Sequence, residues 1–234
     1  AENEPLLEIL RPYAEVISIS ADSTSTFENI YTPEGRVQYI RGVAAKLNTE
    51  SMQSTPPEWL AAPLVHLAPL TDEVDPTLVD LFPDATIIVT LQGWLRRWGE
   101  DGHVRFKRWH DAEALKRLDV IVFSNEDISE APDMEAEMVR EARHVFVTQA
   151  EQGGIHYNHG QPKPYPTPQV EVVHPTGAGD VFATSLLCAW YRLKDWDAAA
   201  RVAAILAANS VTRVGLESAP TVAEVEAAFK AVGN

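Results

Sequence analysis

At 234 residues, with one cysteine and a formal net charge of −15, the chain is long enough for a sizeable α/β core and carries neither a disulfide framework nor a thiolate metal cluster. The acidic balance, with a pI near 4.8, excludes nucleic acid and anionic membrane as partners, because repulsion would act along the whole contact. No run approaches the roughly 18 apolar residues that span a bilayer, and the single Cys188 fits a reducing cytoplasm.

In chain order, Leu6 to Arg11 reads as a short helix, Val16 to Ser20 as a strand, and Thr26 to Tyr31 and Arg36 to Arg41 as a hairpin around Thr32-Pro33-Glu34-Gly35. An isolated hairpin is marginal, so this one must lie on something else. Thr49 to Pro57 is a Ser/Thr/Pro-rich linker. Alternation follows: a strand at Leu64–Leu67, a helix at Asp75–Leu81, a strand at Ala85–Thr90, an edge strand at Val104–Trp109 and a helix capped by Asp111. Then come a strand at Val120–Phe123, a helix capped by Asp133 with Met134 and Met138 on one face, and a strand at Val145–Val147. Repeated strand-helix-strand units predict an α/β fold, a mostly parallel sheet with helices on its faces. Ligands of such sheets collect beyond the carboxyl ends of the strands, and Gln92-Gly93, Asn125-Glu126, Thr148-Gln149 and the Gly177 turn all fall there.

That last turn, His174 to Asp180, runs straight into an apolar helix. From Val181 to Tyr191 the only polar groups are Thr184, Ser185 and the tyrosine hydroxyl, which predicts burial nearly all round, Cys188 included. Gly177 and Gly179 leave room for successive amides to point outward at the positive end of the helix dipole, a seat for an anion, and Asp180 stands beside it. A carboxylate next to a phosphate seat suits removal of a proton from the attacking group. The alternative is an ordinary first-turn acid after a tight turn. Further on, Val202, Ile205, Leu206 and Asn209 share one helix face, which places Asn209 on the buried side, and Thr221 caps a last amphipathic helix.

The run Pro175-Thr176-Gly177-Ala178-Gly179-Asp180-Val181-Phe182 resembles the C-terminal signature of the ribokinase-like (PfkB) family of sugar, nucleoside and cyclitol kinases. The resemblance implies a ribokinase-like α/β core over residues 58–234, with residues 16–47 forming part of a small β-sheet lid. It implies Asp180 as general base and the amides of Gly177, Ala178 and Gly179 as the hole for the transferred phosphoryl group. Thr148 to Gly154 resembles the nucleotide-contacting Thr-x-Gly-x-x-Gly segment, with Ala150 at the first glycine. By the same resemblance Thr148, Gly153 and Asn209 border the nucleotide, and Thr26, Asn29 and Gln38 of the hairpin face the acceptor. Asn125-Glu126 resembles the start of an Asn-x-x-Glu motif tied to magnesium and phosphate, but Ile128 breaks it, so that either Glu126 or Asp127 substitutes or the metal is held by waters and ATP alone. His174 stands where an acid is usual, and Gln92-Gly93-Trp94-Leu95-Arg96 is similar to a stretch of the cyclitol and sugar branch.

These features lead to the expectation of an ATP-dependent kinase using Mg²⁺ on a sugar or cyclitol hydroxyl, with a nucleoside kinase and a non-catalytic member as rivals. A homodimer stays open. Nothing before Val16 resembles the opening strand and glycine pair of the family, so an upstream acceptor-binding segment is expected. No Gly-x-x-x-x-Gly-Lys-Ser/Thr loop occurs, and Phe182 stands where a dinucleotide fingerprint wants a small residue.

Overall fold

The computed structural model describes residues 4–33 and 35–233, so Glu34 of the expected hairpin turn lies outside the described residues. The chain divides into two units. The first comprises residues 1–62, 69–85 and 92–110, the second residues 63–68, 86–91 and 111–234.

The first unit opens with the short helix α1 (Leu6–Leu10) and contains the hairpin of β1 (Thr26–Thr32) and β2 (Gly35–Gly42), with Asn29 opposite Gln38. The support a lone hairpin needs comes from residues 102–104, where the Ile40 amide donates to the Gly102 carbonyl and the Val104 amide to the Gln38 carbonyl. No strand forms at Val16–Ser20, because no described strand pairs with it. After α2 (Pro57–Leu60), the expected helix at 75–81 is a 3₁₀ helix, Pro76–Leu81, capped by Asp75 through the Thr77 amide. The edge strand expected at Val104–Trp109 reduces to a two-residue pairing of β5 (Arg96–Arg97) with β6 (Arg105–Phe106). Its Arg-Phe-Lys-Arg run has no apolar face to lay on a larger sheet. Trp94 anchors this unit: fully buried, it donates from Nε1 to the Val74 carbonyl at 2.7 Å and stacks on Trp109.

The second unit holds a six-stranded sheet. Strands β3 (Leu64–Leu67), β4 (Thr86–Thr90), β7 (Val120–Ser124) and β8 (His144–Thr148) are parallel, and the hairpin of β9 (Gly154–Asn158) and β10 (Gln161–Tyr165) adds two antiparallel strands. Their order is β10-β9-β8-β7-β4-β3. The central strands read Ile87-Ile88-Val89, Val120-Ile121-Val122 and Val145-Phe146-Val147, apolar at every position, as a sheet covered on both faces requires. Helices do cover both. Neighbouring residues of β9 point to opposite faces, and Tyr157 meets Glu135 of α4 (Met134–Glu141) while His156 meets Asp197 of α6 (Trp196–Ser210). α3 (Ala112–Arg117) precedes β7, and α5 (Ala178–Leu193) and α7 (Val222–Val232) complete the helices.

Local chemistry sets the helix starts. Asp111 caps α3, Asp195 caps α6, and Thr221 with Glu224 forms a capping box on α7. Asp133, expected as a cap, is itself in helical conformation and accepts no capping hydrogen bond. α5 and α6 pack against each other through small residues, Ala199, Ala200, Ala203 and Ala204 of α6 being buried against Phe182, Leu186 and Leu187 of α5. α5 is not buried all round, however. Asp180, Thr184, Cys188 and Tyr191 form an exposed stripe at helical spacing, so the cysteine expected inside lies outside. Asn209 is half-buried rather than buried; the position facing inward is Ser210, whose hydroxyl donates to the Ala207 carbonyl.

Candidate active site at the carboxyl end of the sheet

The direction of α5 places the site. Its first turn carries Phe182, which stacks on Tyr165 at 5.5 Å, and Tyr165 is in register with Gly154, itself opposite Thr148 at the carboxyl end of β8. Its last turns carry Trp190, stacked on Trp196, which lies 5.1 Å from His144 at the amino end of β8. α5 therefore begins where the parallel strands end, at the edge that sequence patterning singles out.

α5 starts without a side-chain cap. Gly177 at its N-cap has φ 90°, a left-handed conformation natural to glycine, and the turn is closed by the Ala178 amide donating to the Pro175 carbonyl at 3.3 Å. Of the three amides expected in an anion hole, Ala178 is thus partly engaged, while those of Gly177 and Gly179 have no acceptor among the described residues. A Cβ built on Gly177 or Gly179 would meet nothing within 4 Å. The space is open and electropositive, the helix-terminus arrangement that holds anions. Asp180 is exposed in this first turn.

Thr184, one turn beyond Asp180, shares a hydrogen bond with His66 of β3 (Oγ1 to Nδ1, 3.3 Å). Burial pulls the His66 imidazole down to about 4, so it is neutral at physiological pH. Its Nε2 is buried without a described partner. Sequence reading missed this residue; the only signal was a histidine inside the apolar run Leu64-Val65-His66-Leu67.

The neighbouring stops fall into place around the same edge. The Asn125 amide donates to the Thr148 carbonyl, bringing the ends of β7 and β8 together. Asn125 and Glu126 are exposed, whereas the Asp127 carboxylate turns back to accept from the Ser124 amide and hydroxyl. One oxygen of Asp127 is thus engaged in its own turn, and Ile128, which breaks the motif, is core. Among the described residues no three His, Cys, Asp or Glu side chains converge on a metal position. Gly153, at φ 86°, is required by packing: a Cβ there would lie 2.2 Å from the Tyr165 carbonyl. On the far side, the Val173 and His174 amides both donate to the Val211 carbonyl, tying the segment before the turn to the end of α6, two residues beyond Asn209. Val172, Val173, Val214 and Leu216 are each more than half exposed.

The hairpin candidates belong to the first unit. Gln38 donates to Asn29 across the strands at 2.8 Å, pairing two of them, while the Thr26 hydroxyl donates to the Thr24 carbonyl. Gly93 of the Gln92-Gly93 stretch is explained by backbone packing, its Cβ position lying 2.2 Å from the carbonyl carbon of Pro69. Arg96 donates to the Leu70 carbonyl and covers the Phe27 ring.

Comparison with known proteins agrees with this geometry. The family model described as pfkB family carbohydrate kinase matches residues 110–222. A pyrophosphate-dependent kinase of the ribokinase family, solved with a pyrophosphate analogue and myo-inositol, superimposes with a TM-score of 0.76 at 18% identity, covering 97% of this chain and 82% of that one. Ribokinase from Thermotoga maritima gives 0.74 at 21% identity, covering 97% and 76%. The nucleoside kinase of Burkholderia thailandensis, in complex with inosine, gives 0.75 at 18% identity, covering 98% and 77%. No curated protein matches. No described helix is long and apolar enough to cross a membrane. Residues 110–222 thus match the family model described as pfkB family carbohydrate kinase, and the chain has a ribokinase-like fold.

Proposed function

We propose that the protein is an ATP-dependent phosphotransferase acting on a hydroxyl of a small polyol, a sugar or a cyclitol such as inositol. The observation that carries this reading is the uncapped start of α5: open amides at Gly177 and Gly179, empty space above both glycines, and the Asp180 carboxylate in the same turn. The Gly177 and Gly179 amides receive the transferring phosphoryl group, and Asp180 accepts the proton of the attacking hydroxyl, so that negative charge on the new ester oxygens is met by donors already in place. Exposed Val172 and Val173, the latter tied to Val211 at the end of α6 two residues beyond Asn209, offer apolar surface that suits a flat nucleobase, which favours ATP over a donor without one. Thr148 and Asn125 border its phosphates. Magnesium, when bound, would neutralise those phosphates; with no cluster of three His, Cys, Asp or Glu among the described residues, Glu126 alone would add a protein contact, in keeping with a cation held mainly by phosphate and water. Thr26, Asn29 and Gln38 are the candidates for acceptor contact.

A nucleoside acceptor is the second reading, favoured by a neighbour of the same fold solved with inosine. The deciding experiment is a product assay with ATP or pyrophosphate as donor against sugars, inositols and nucleosides. Phosphorylated inositol or sugar from ATP is the expected result. Preference for a nucleoside would replace the acceptor class, preference for pyrophosphate would replace the donor, and no product with any pair would overturn the reading.

A further inference from the structure

The opposite end of the same unit carries a second polar constellation that the kinase reading does not use. His144, the first residue of β8, contacts His156 of β9 (Nδ1 to Nε2, 3.1 Å), and His156 contacts Asp197 of α6 (Nδ1 to Oδ1, 2.8 Å). Lys163 of β10 donates to the other oxygen of Asp197 at 2.6 Å. His156 is only 2% exposed, so this chain of contacts is rooted in the interior and runs out to Lys163 at the surface. One tautomer satisfies it: His144 donates to His156, and His156 donates to Asp197.

The relay has a consequence for Arg201. On a helix an aspartate and an arginine four residues apart ordinarily pair. Here Asp197 is committed to His156 and Lys163, and Arg201 has no hydrogen-bond or ion-pair partner among the described residues. Arg201 instead lines a cavity of about 330 Å³ between β10 and α6, together with Lys163. His156, Asp197 and Tyr165 also line it, beside prolines 162, 164 and 166 and Ala200. Gln161, Lys163 and Tyr165 face β9 in a tight two-residue hairpin, so the backbone of Pro162 and Pro164 faces the open edge, where proline has no N–H to offer. That edge cannot take up an added strand. Asp195, the remaining nearby acid, is turned to its own helix, accepting from the Asp197 and Ala198 amides. Against Lys163 and Arg201 the cavity wall sets only the carboxylate of Asp197, which leaves a local positive balance in a chain of net charge −15.

We propose that this cavity binds a phosphate group, as the free ion or as a small monoester, between Arg201 and Lys163. A tetrahedral oxyanion presents oxygens to cations on two different elements at once, and the guanidinium fork can take two of them. The relay holds Asp197 away from Arg201 and so keeps the fork available.

The test is a titration with inorganic phosphate followed by the imidazole nitrogen resonances of His144 and His156, with sodium chloride at matched ionic strength and acetate as controls. It is run on wild type, Gly179→Val, Arg201→Ala and Arg201→Lys, with melting temperatures confirming that each is folded. A saturable shift is expected in wild type and, at the same midpoint, in Gly179→Val, which blocks the α5 seat and so separates this site from the candidate active site. Arg201→Ala should raise the midpoint about tenfold to a hundredfold, the worth of a charged hydrogen-bonding group, and Arg201→Lys should recover part of it. No saturable shift, an unchanged midpoint in Arg201→Ala, or an equal response to chloride or acetate would overturn the proposal.

Discussion

Gly153 and Gly177 share a positive φ, 86° and 90°, in the same unit of the protein, though their ψ angles differ (−115° and −6°), and they stand there for different reasons. At Gly153 the position a side chain would take is filled by the protein itself, the Tyr165 carbonyl lying 2.2 Å from it. At Gly177, and at Gly179 after it, nothing lies within 4 Å. A glycine walled in by its own chain serves the architecture; one facing open space at an uncapped helix start keeps that space clear for a ligand. Sequence shows both as glycines in family-like motifs, and only the surroundings separate them.

The largest expected effect breaks catalysis and leaves the architecture intact. Asp180→Asn should lower turnover about 10²-fold to 10⁴-fold, the usual loss for a positioned acid or base. ATP affinity and melting temperature should stay close to wild type, because the seat is backbone and Asp180 is exposed. Gly179→Val should differ by losing donor binding and turnover together while keeping its melting temperature, since the new side chain enters empty space. A near wild-type rate for Asp180→Asn would sink the base assignment.

Next in size is the architectural half of the comparison. Gly153→Ala forces a methyl against a backbone carbonyl at a residue of positive φ and should destabilise by about 2–5 kcal/mol, overpacking and backbone strain together. Gly177→Ala carries only the backbone term, about 1–2 kcal/mol. Equal losses in denaturant melts of the two would remove the distinction.

The comparison also shows what was legible beforehand. The apolar runs of β4, β7 and β8 and the caps at Asp111 and Thr221 follow from local chemistry, and they emerge where patterning places them. The Gly177 turn was readable because its chemistry is local too. What failed depended on partners far away in the sequence. Val16–Ser20 has the composition of a strand but no neighbour to pair with, and the stripe of Thr184 and Cys188 is exposed because no described element covers that side of α5. The His144, His156 and Asp197 relay joins residues up to 53 positions apart (197 minus 144), beyond any motif or periodicity.

A third effect concerns acid. His66 and His144 are both held near 4 against an ordinary 6.5, in each case chiefly by burial, with neighbouring cations adding to it at His144. Their folded-state values are depressed below the unfolded one, so the stability they contribute is fully present above about 6.5 and is lost as pH falls toward 4. The unfolded chain takes up those protons first. Allowing for part exposure, each contributes on the order of 1–2 kcal/mol. Asp101 and Glu224, both held near 2 chiefly by hydrogen bonds from arginine, give up their stabilisation between their ordinary values of 3.8 and 4.5 and about 2, so they add only at the lower edge of this window. Melting temperature should fall steadily between neutral pH and about 4, and less steeply in His144→Gln; a flat profile would show that neither imidazole is buried in solution.

The smallest effect tests the loop beside Gly153. Ala150 is left-handed at φ 47°, in a segment where the family resemblance places a glycine. A residue with a Cβ holds that conformation at about 1–2 kcal/mol. Replacing it with glycine removes the strain but frees the unfolded chain, which offsets about 0.4–1 kcal/mol. Ala150→Gly should therefore gain no more than about 1 kcal/mol, a rise of a few degrees at most in melting temperature. Because Ala150 is exposed and its carbonyl already accepts from the Gly153 amide, the loop has no need to change shape, and the ATP Michaelis constant should hold steady. A drop in melting temperature would mean that Ala150 makes contacts in solution worth more than its strain. A marked gain in ATP affinity without a stability change would instead place the loop among the ligand-facing glycines, on the Gly177 side of the comparison.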